Sequence, residues 1–132
     1  MELLLDTQVL IWAANTPSRL THVAGQALTE LQNILFVSLA SVWEMQLKVN
    51  LGKLNLGYTV EDFIEKQVQD LNIVVLPIKT QHIFYLPQLP FHKHHKDPFD
   101  RMLIAQTITE KLLIVSADED IQQLYDIKVL WY

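Results

Sequence analysis

Short, unbroken apolar runs alternate with stretches of helical periodicity from one end of the chain to the other. ELLLD (2–6), ILFVS (34–38), IVVLPI (73–78), LLIVSAD (112–118) and KVLWY (128–132) have the length and β-branched content of buried strands, and the first ends on an acid. Between them, apolar residues recur at helical spacing from Thr7 to Ala14 and then, after the break at Pro17, along LTHVAGQALTELQN to Asn33. LASVWEMQLKVNLGK reads as a helix closed by Gly52, and TVEDFIEKQVQDLN as one with Thr59 at its N-cap and Val60, Phe63, Ile64, Val68 and Leu71 on one face. A Pro-punctuated stretch, LPQLPFHKHHKD, precedes a helix from about Pro98 to Lys111, and a short helix starts at Glu119. Strands alternating with helices imply a mainly parallel sheet of about five strands covered on both faces, a three-layer α/β/α domain. In such a sheet, chemistry gathers beyond the carboxyl ends of the strands.

Four acids are expected near that edge. Asp6 ends the first strand, Asp118 follows the fourth, Glu44 lies in the helix after the second, and Asp100 lies in the opening turn of the helix that runs back to the fourth. Each also has a local explanation: Ser41-Val-Trp-Glu44 fits a capping box, Asp97-Pro98 fits an N-cap followed by proline at the first helical position, and Asp6 and Asp118 can cap the helices after them. Four carboxylates gathered in one place repel strongly unless a cation intervenes or some are protonated. The 132 residues include no cysteine, which removes thiolate ligands and leaves oxygen or imidazole. Oxygen ligands favour Mg²⁺ or Mn²⁺, and such a site suits metal-assisted phosphodiester hydrolysis.

A net charge of −5 would count against a polynucleotide partner, except that bound dications reverse the field of an acidic pocket. Half the residues are apolar, enough for a single domain over residues 1–132, and MELLLDTQVLIW fits neither a signal peptide nor a membrane span, so a cytoplasmic protein is expected. HKHHKDPFDR, residues 92–101, sets a basic cluster against two acids. Lys93, Lys96 and Arg101 are candidates to meet phosphates there, since histidine is mostly neutral at pH 7. His92, His94 and His95 lack an evident third ligand for zinc. Trp12, Trp43 and Trp131, within apolar strands and helices, read as core.

LLLDTQVLIW, VSLASVWEMQLKVNLGKL, LPFHKHHKDPFDRMLIAQ, LLIVSADEDI and the closing VLWY together resemble a PIN-domain ribonuclease of the VapC toxin type, in order and over essentially the whole chain. The resemblance implies a PIN-like fold and a Mg²⁺- or Mn²⁺-dependent endoribonuclease acting as the toxin of a type II toxin–antitoxin pair. RNA would be its substrate, an antitoxin its partner, and a homodimer its expected state. The family's acids carry over onto Asp6, Glu44, Asp100 and Asp118, with Asp6 and Asp100 as direct metal ligands. Thr7 and Ser116 match positions where the family often has a hydroxyl supporting the metal shell. Many PIN domains place the third acid one residue later, where Arg101 stands here, so Asp97 stays as the alternative to Asp100. A PIN-like interaction or RNA-binding module without catalysis is the other reading. A signalling receiver does not fit, because Asp6 lacks an acidic neighbour and IVVLPIK ends without an acceptor aspartate.

Overall fold

A computed structural model describes residues 1–132. Five strands, β1 (Glu2–Leu5), β2 (Ile34–Ser38), β3 (Val74–Leu76), β4 (Leu113–Val115) and β5 (Val129–Leu130), form one sheet in the order β3-β2-β1-β4-β5. Every pairing is parallel, so the expected mainly parallel sheet is wholly so. Parallel neighbours need crossover connections, and helices supply them: α1 (Thr7–Asn15), α2 (His22–Thr29), α3 (Leu39–Asn50), α4 (Val60–Leu71), α5 (Thr80–Tyr85), α6 (Pro98–Thr109) and α7 (Glu119–Leu124).

Alternation along β1 divides the interior. Leu3 and Leu5 enter one apolar cluster with Val9, Leu10, Val37, Met45 and Phe63, while Leu4 enters a second with Leu103, Ile104, Ile114 and Ile121. The sheet is therefore buried on both faces, in a three-layer α/β/α arrangement. β1 lies at its centre, and the chain crosses from β3 at one edge to β4 on the far side of β1. That reversal opens a crevice beyond the carboxyl ends of β1 and β4. The pairing continues one residue past β1, where the Asp6 N–H donates to the Val115 carbonyl at 3.0 Å.

Several local expectations are corrected. α2 ends at Thr29, and Asn33 instead turns its side-chain amide onto the Ala27 carbonyl. α5 occupies residues to which the periodicity assigns no element, and the 3₁₀ turn Leu86–Gln88 opens the Pro-punctuated stretch. α6 stops at Thr109, ahead of Lys111 with φ 55°. The N-cap of α3 is Ser38, whose hydroxyl accepts from the Ala40 N–H. Ser41 and Glu44 therefore lie inside the helix, and no Ser41–Glu44 capping box forms. Trp43 is 60% exposed and meets Phe99 edge-on, while Trp12 and Trp131 are half-buried and tilted against each other. Trp131 packs against the first apolar cluster from its edge, and none of the three tryptophans is fully buried.

Candidate metal centre

Because all strands run the same way, a helix returning to a strand must begin at the carboxyl edge. α6 does so, and this brings Asp100 to the ends of β1 and β4. Asp6, Glu44, Asp97, Asp100 and Asp118 all line one cavity of about 450 Å³, together with Thr7, Gln8, Trp12, Lys48, Lys53 and their neighbours. Three of the acids cap helices while facing it. Asp6 accepts from the Gln8 N–H, Asp118 from the Asp120 N–H, and Asp97 from the N–H groups of Phe99 and Asp100. Capping and convergence are thus compatible, since a carboxylate has several lone pairs and a cap uses only one or two of them.

The remaining polar contacts orient these acids. The Ser116 hydroxyl, fully buried, donates to Asp6 Oδ2 at 2.6 Å and accepts from the Asp118 N–H at 3.0 Å, linking the ends of β1 and β4. Thr7 touches no acid; its hydroxyl donates to Ser41 Oγ at 2.7 Å, which fastens α1 to α3. Glu44, 6% exposed, takes Lys48 on Oε2 at 2.8 Å, and its Oε1 is buried with no hydrogen-bond partner.

The clustering disturbs protonation. Burial, then the charges of Asp6, Asp97, Glu44 and Asp118, push Asp100 up to about 8. Burial also raises Asp6, outweighing the hydrogen bonds from Ser116 and Gln8 that favour its charged form. Lys48 is raised chiefly by its hydrogen bond to Glu44. An unpartnered buried carboxylate oxygen, an oxygen-rich donor set and an aspartate driven toward neutrality share one remedy, a cation in the cavity. The residues present fit a hard divalent ion.

The basic groups lie elsewhere than expected. Lys48 and Lys53 are the cationic side chains lining the cavity. Nothing in their local sequence marks them; Lys48 is there because it stands one helical turn after Glu44. The Arg101 guanidinium turns away, donating to the Pro90 carbonyl at 3.0 Å and, more weakly, to Tyr125 and Leu86. Lys93 and Lys96 are exposed and outside the cavity, and Lys96 sits over the Phe91 ring. The histidines separate as well. His92 bonds the Leu124 carbonyl, His94 is exposed, and His95 is buried against Tyr125 beside Asp100.

The PIN domain family model matches residues 3–127. Among solved structures, VapBC2 from Rickettsia felis, bound to a DNA fragment from their promoter, aligns at TM-score 0.72 and 14% identity over 100% of each chain. DNA-bound VapBC from Salmonella typhimurium aligns at TM-score 0.67 and 15% identity over 98% of this chain and 97% of that one. FitAcB from Neisseria gonorrhoeae aligns at TM-score 0.62 and 16% identity over 97% and 96%. At these identities the structures speak to the fold. No curated protein matches the chain.

Proposed function

This chain belongs to the PIN domain family, and from that premise we propose that it is a divalent-metal-dependent endoribonuclease, one nuclease domain acting as the toxin of a type II toxin–antitoxin pair. The observation that carries the reading is the cavity itself, where five carboxylates from four segments converge and one of them is pushed up to about 8. Asp6, Glu44, Asp100 and Asp118 would hold Mg²⁺ or Mn²⁺. Such an ion lowers the pKa of water, aligns it for in-line attack and neutralises charge on the scissile phosphate and the departing oxygen.

The chain's own residues supply the frame. Ser116 fixes one Asp6 oxygen and thereby the direction of the other, and Asp97 holds the first turn of α6, which carries Asp100. Lys48 and Lys53, at the cavity wall, meet the phosphates that flank the cut. Lys93 and Lys96 are left for more distant parts of an RNA, and Arg101 serves the loop.

Partner binding has support of its own. Leu39, Trp43, Leu47 and Leu51 recur every four residues along α3 and its C-cap, and all four are exposed. An apolar stripe of this kind is suited to a protein partner, and the solved relatives named VapBC and FitAcB make an antitoxin or a second copy the natural occupant.

The test is cleavage of a panel of structured and unstructured RNAs with Mg²⁺, with Mn²⁺ and with chelator, beside Asp6→Asn and Asp100→Asn prepared identically. Metal-dependent cuts reduced by more than about 100-fold in both variants, with the fold intact, are expected. Equal cutting by the variants, or no divalent binding by the wild-type chain, rejects the nuclease and leaves the interaction module.

A further inference from the structure

His95 is not among the acids discussed above, yet its ring is only 5% exposed and points at two of them. Its Nε2 lies 3.3 Å from Asp100 Oδ2, and ligand atoms of His95, Asp100 and Asp118 all fall within 4.8 Å of one another. No other trio of histidine, aspartate or glutamate side chains in the chain is so close. Despite the short approach, Nε2 makes no hydrogen bond. A buried ring nitrogen beside two carboxylates and bonded to neither is an unmet donor site of the kind a metal ion fills.

The surrounding structure holds the ring for that task. The His95 N–H donates to the His92 carbonyl in a tight turn, and the His92 ring in turn reaches the Leu124 carbonyl at 2.8 Å. Both histidine rings stand edge-on to Tyr125, each 5.3 Å away, and Arg101 ties the turn down at Pro90. His95 Nδ1 is 2.7 Å from the Tyr125 hydroxyl. When Nδ1–H donates to that oxygen, the Nε2 lone pair faces Asp100 and Asp118, the arrangement in which an imidazole ligates a metal.

We propose that His95 Nε2, Asp100 and Asp118 form a mixed nitrogen–oxygen site that selects a transition-metal dication over Mg²⁺. Imidazole is a poor ligand for Mg²⁺ and a good one for Fe²⁺, Ni²⁺ and Zn²⁺, so the nitrogen biases the Asp100–Asp118 side of the acid cluster. The adjacent histidines fail as a zinc set because His92 and His94 point elsewhere; the missing ligands come from α6 and from the turn after β4. This inference rests on the acid-cluster reading, since two of its three ligands belong to that cluster.

Two measurements test it on the whole chain. Nitrogen-15 NMR of the histidine side chains, with His95 assigned by through-bond correlation to its own backbone, is recorded on the metal-free protein and after one equivalent of Zn²⁺ or of Mg²⁺. Zn²⁺ is expected to move the His95 Nε2 resonance to that of a metal-bound nitrogen, with Mg²⁺ leaving it in place. In parallel, Zn²⁺ and Mg²⁺ affinities are measured by titration for wild type and His95→Gln, with circular dichroism to verify folding. The substitution is expected to weaken Zn²⁺ by about 10-fold or more and to leave Mg²⁺ unchanged. The wild-type spectra stand even if the variant misfolds, and an Nε2 resonance unmoved by Zn²⁺ overturns the proposal. Metal-dependent RNA cleavage alongside an unmoved His95 removes this inference alone, whereas a chain that binds no dication removes the nuclease reading with it.

Discussion

Asp100 is held where its charge is unwelcome, and this has a thermodynamic sign. A carboxyl raised from 3.8 to about 8 binds its proton more tightly in the folded chain than in the unfolded one. Its contribution therefore favours the fold fully below pH 3.8, weakens as the pH rises, and is gone once the pH passes about 8. In chelator, the thermal stability contributed by this residue should be higher at pH 5 than at pH 8.5. Asp100→Asn should flatten that slope and stabilise the metal-free chain at pH 8.5 by roughly 1–3 kcal/mol, discounted for water reaching the cavity. Thermal melts of the two proteins across pH check this, and a variant less stable than wild type at pH 8.5 refutes it. Ser116 acts in the opposite sense, because its hydroxyl favours charged Asp6. Ser116→Ala should retain the fold and lose on the order of 10–100-fold in divalent affinity, measured by titration. The acids were legible in the sequence because strand ends and helix starts fall at one edge, so positions 6, 97, 100 and 118 announce themselves. Lys48, Lys53 and the aim of His95 were not, because they depend on how α3 and the 92–95 turn pack. Nor was the placement of Arg101, whose guanidinium donates to backbone carbonyls eleven and fifteen residues earlier.

At the scale of elements, α6 depends on its start. Asp97 satisfies two N–H groups, and Pro98 occupies a position where no N–H is needed. Asp97→Ala should cost about 1 kcal/mol and loosen the turn carrying Asp100, while Asp97→Ser should restore most of the stability. Denaturant melts of the pair check this. α5 rests on its own buried anchor. His82 is fully enclosed, its Nδ1 accepts from the Lys79 N–H, and its Nε2 therefore donates to Glu110 at 2.8 Å. That hydrogen bond, the first cause, lowers the Glu110 pKa. His82→Ala should destabilise by about 2–4 kcal/mol through the cavity and the abandoned N–H, read by the same melts, without touching the metal centre. The strands and long helices could be read from periodicity, since β2 and α4 start where their apolar runs and caps do. α5 escaped because six residues are too few to separate helical spacing from a loop punctuated by proline. The tail of α2 was overread because Leu31 keeps helical spacing although it is 91% exposed.

For the molecule as a whole, no helix is long and apolar enough to cross a membrane, and its strand order sets when the cluster is complete. The central strand is the first in sequence, but its neighbour on one side is β4, so Asp6 meets its orienting hydroxyl 110 residues later. Contacts of such separation form late in folding, because the intervening chain must be closed into a loop first. A ribosome making this protein must therefore release Asp118 before Asp6, Glu44, Asp100 and Asp118 can stand together. Nascent products that stop short of Ser116 carry Asp6, Glu44, Asp97 and Asp100 but lack both the hydroxyl that orients Asp6 and the carboxylate of Asp118, so they hold most of the acids without the frame that gathers them.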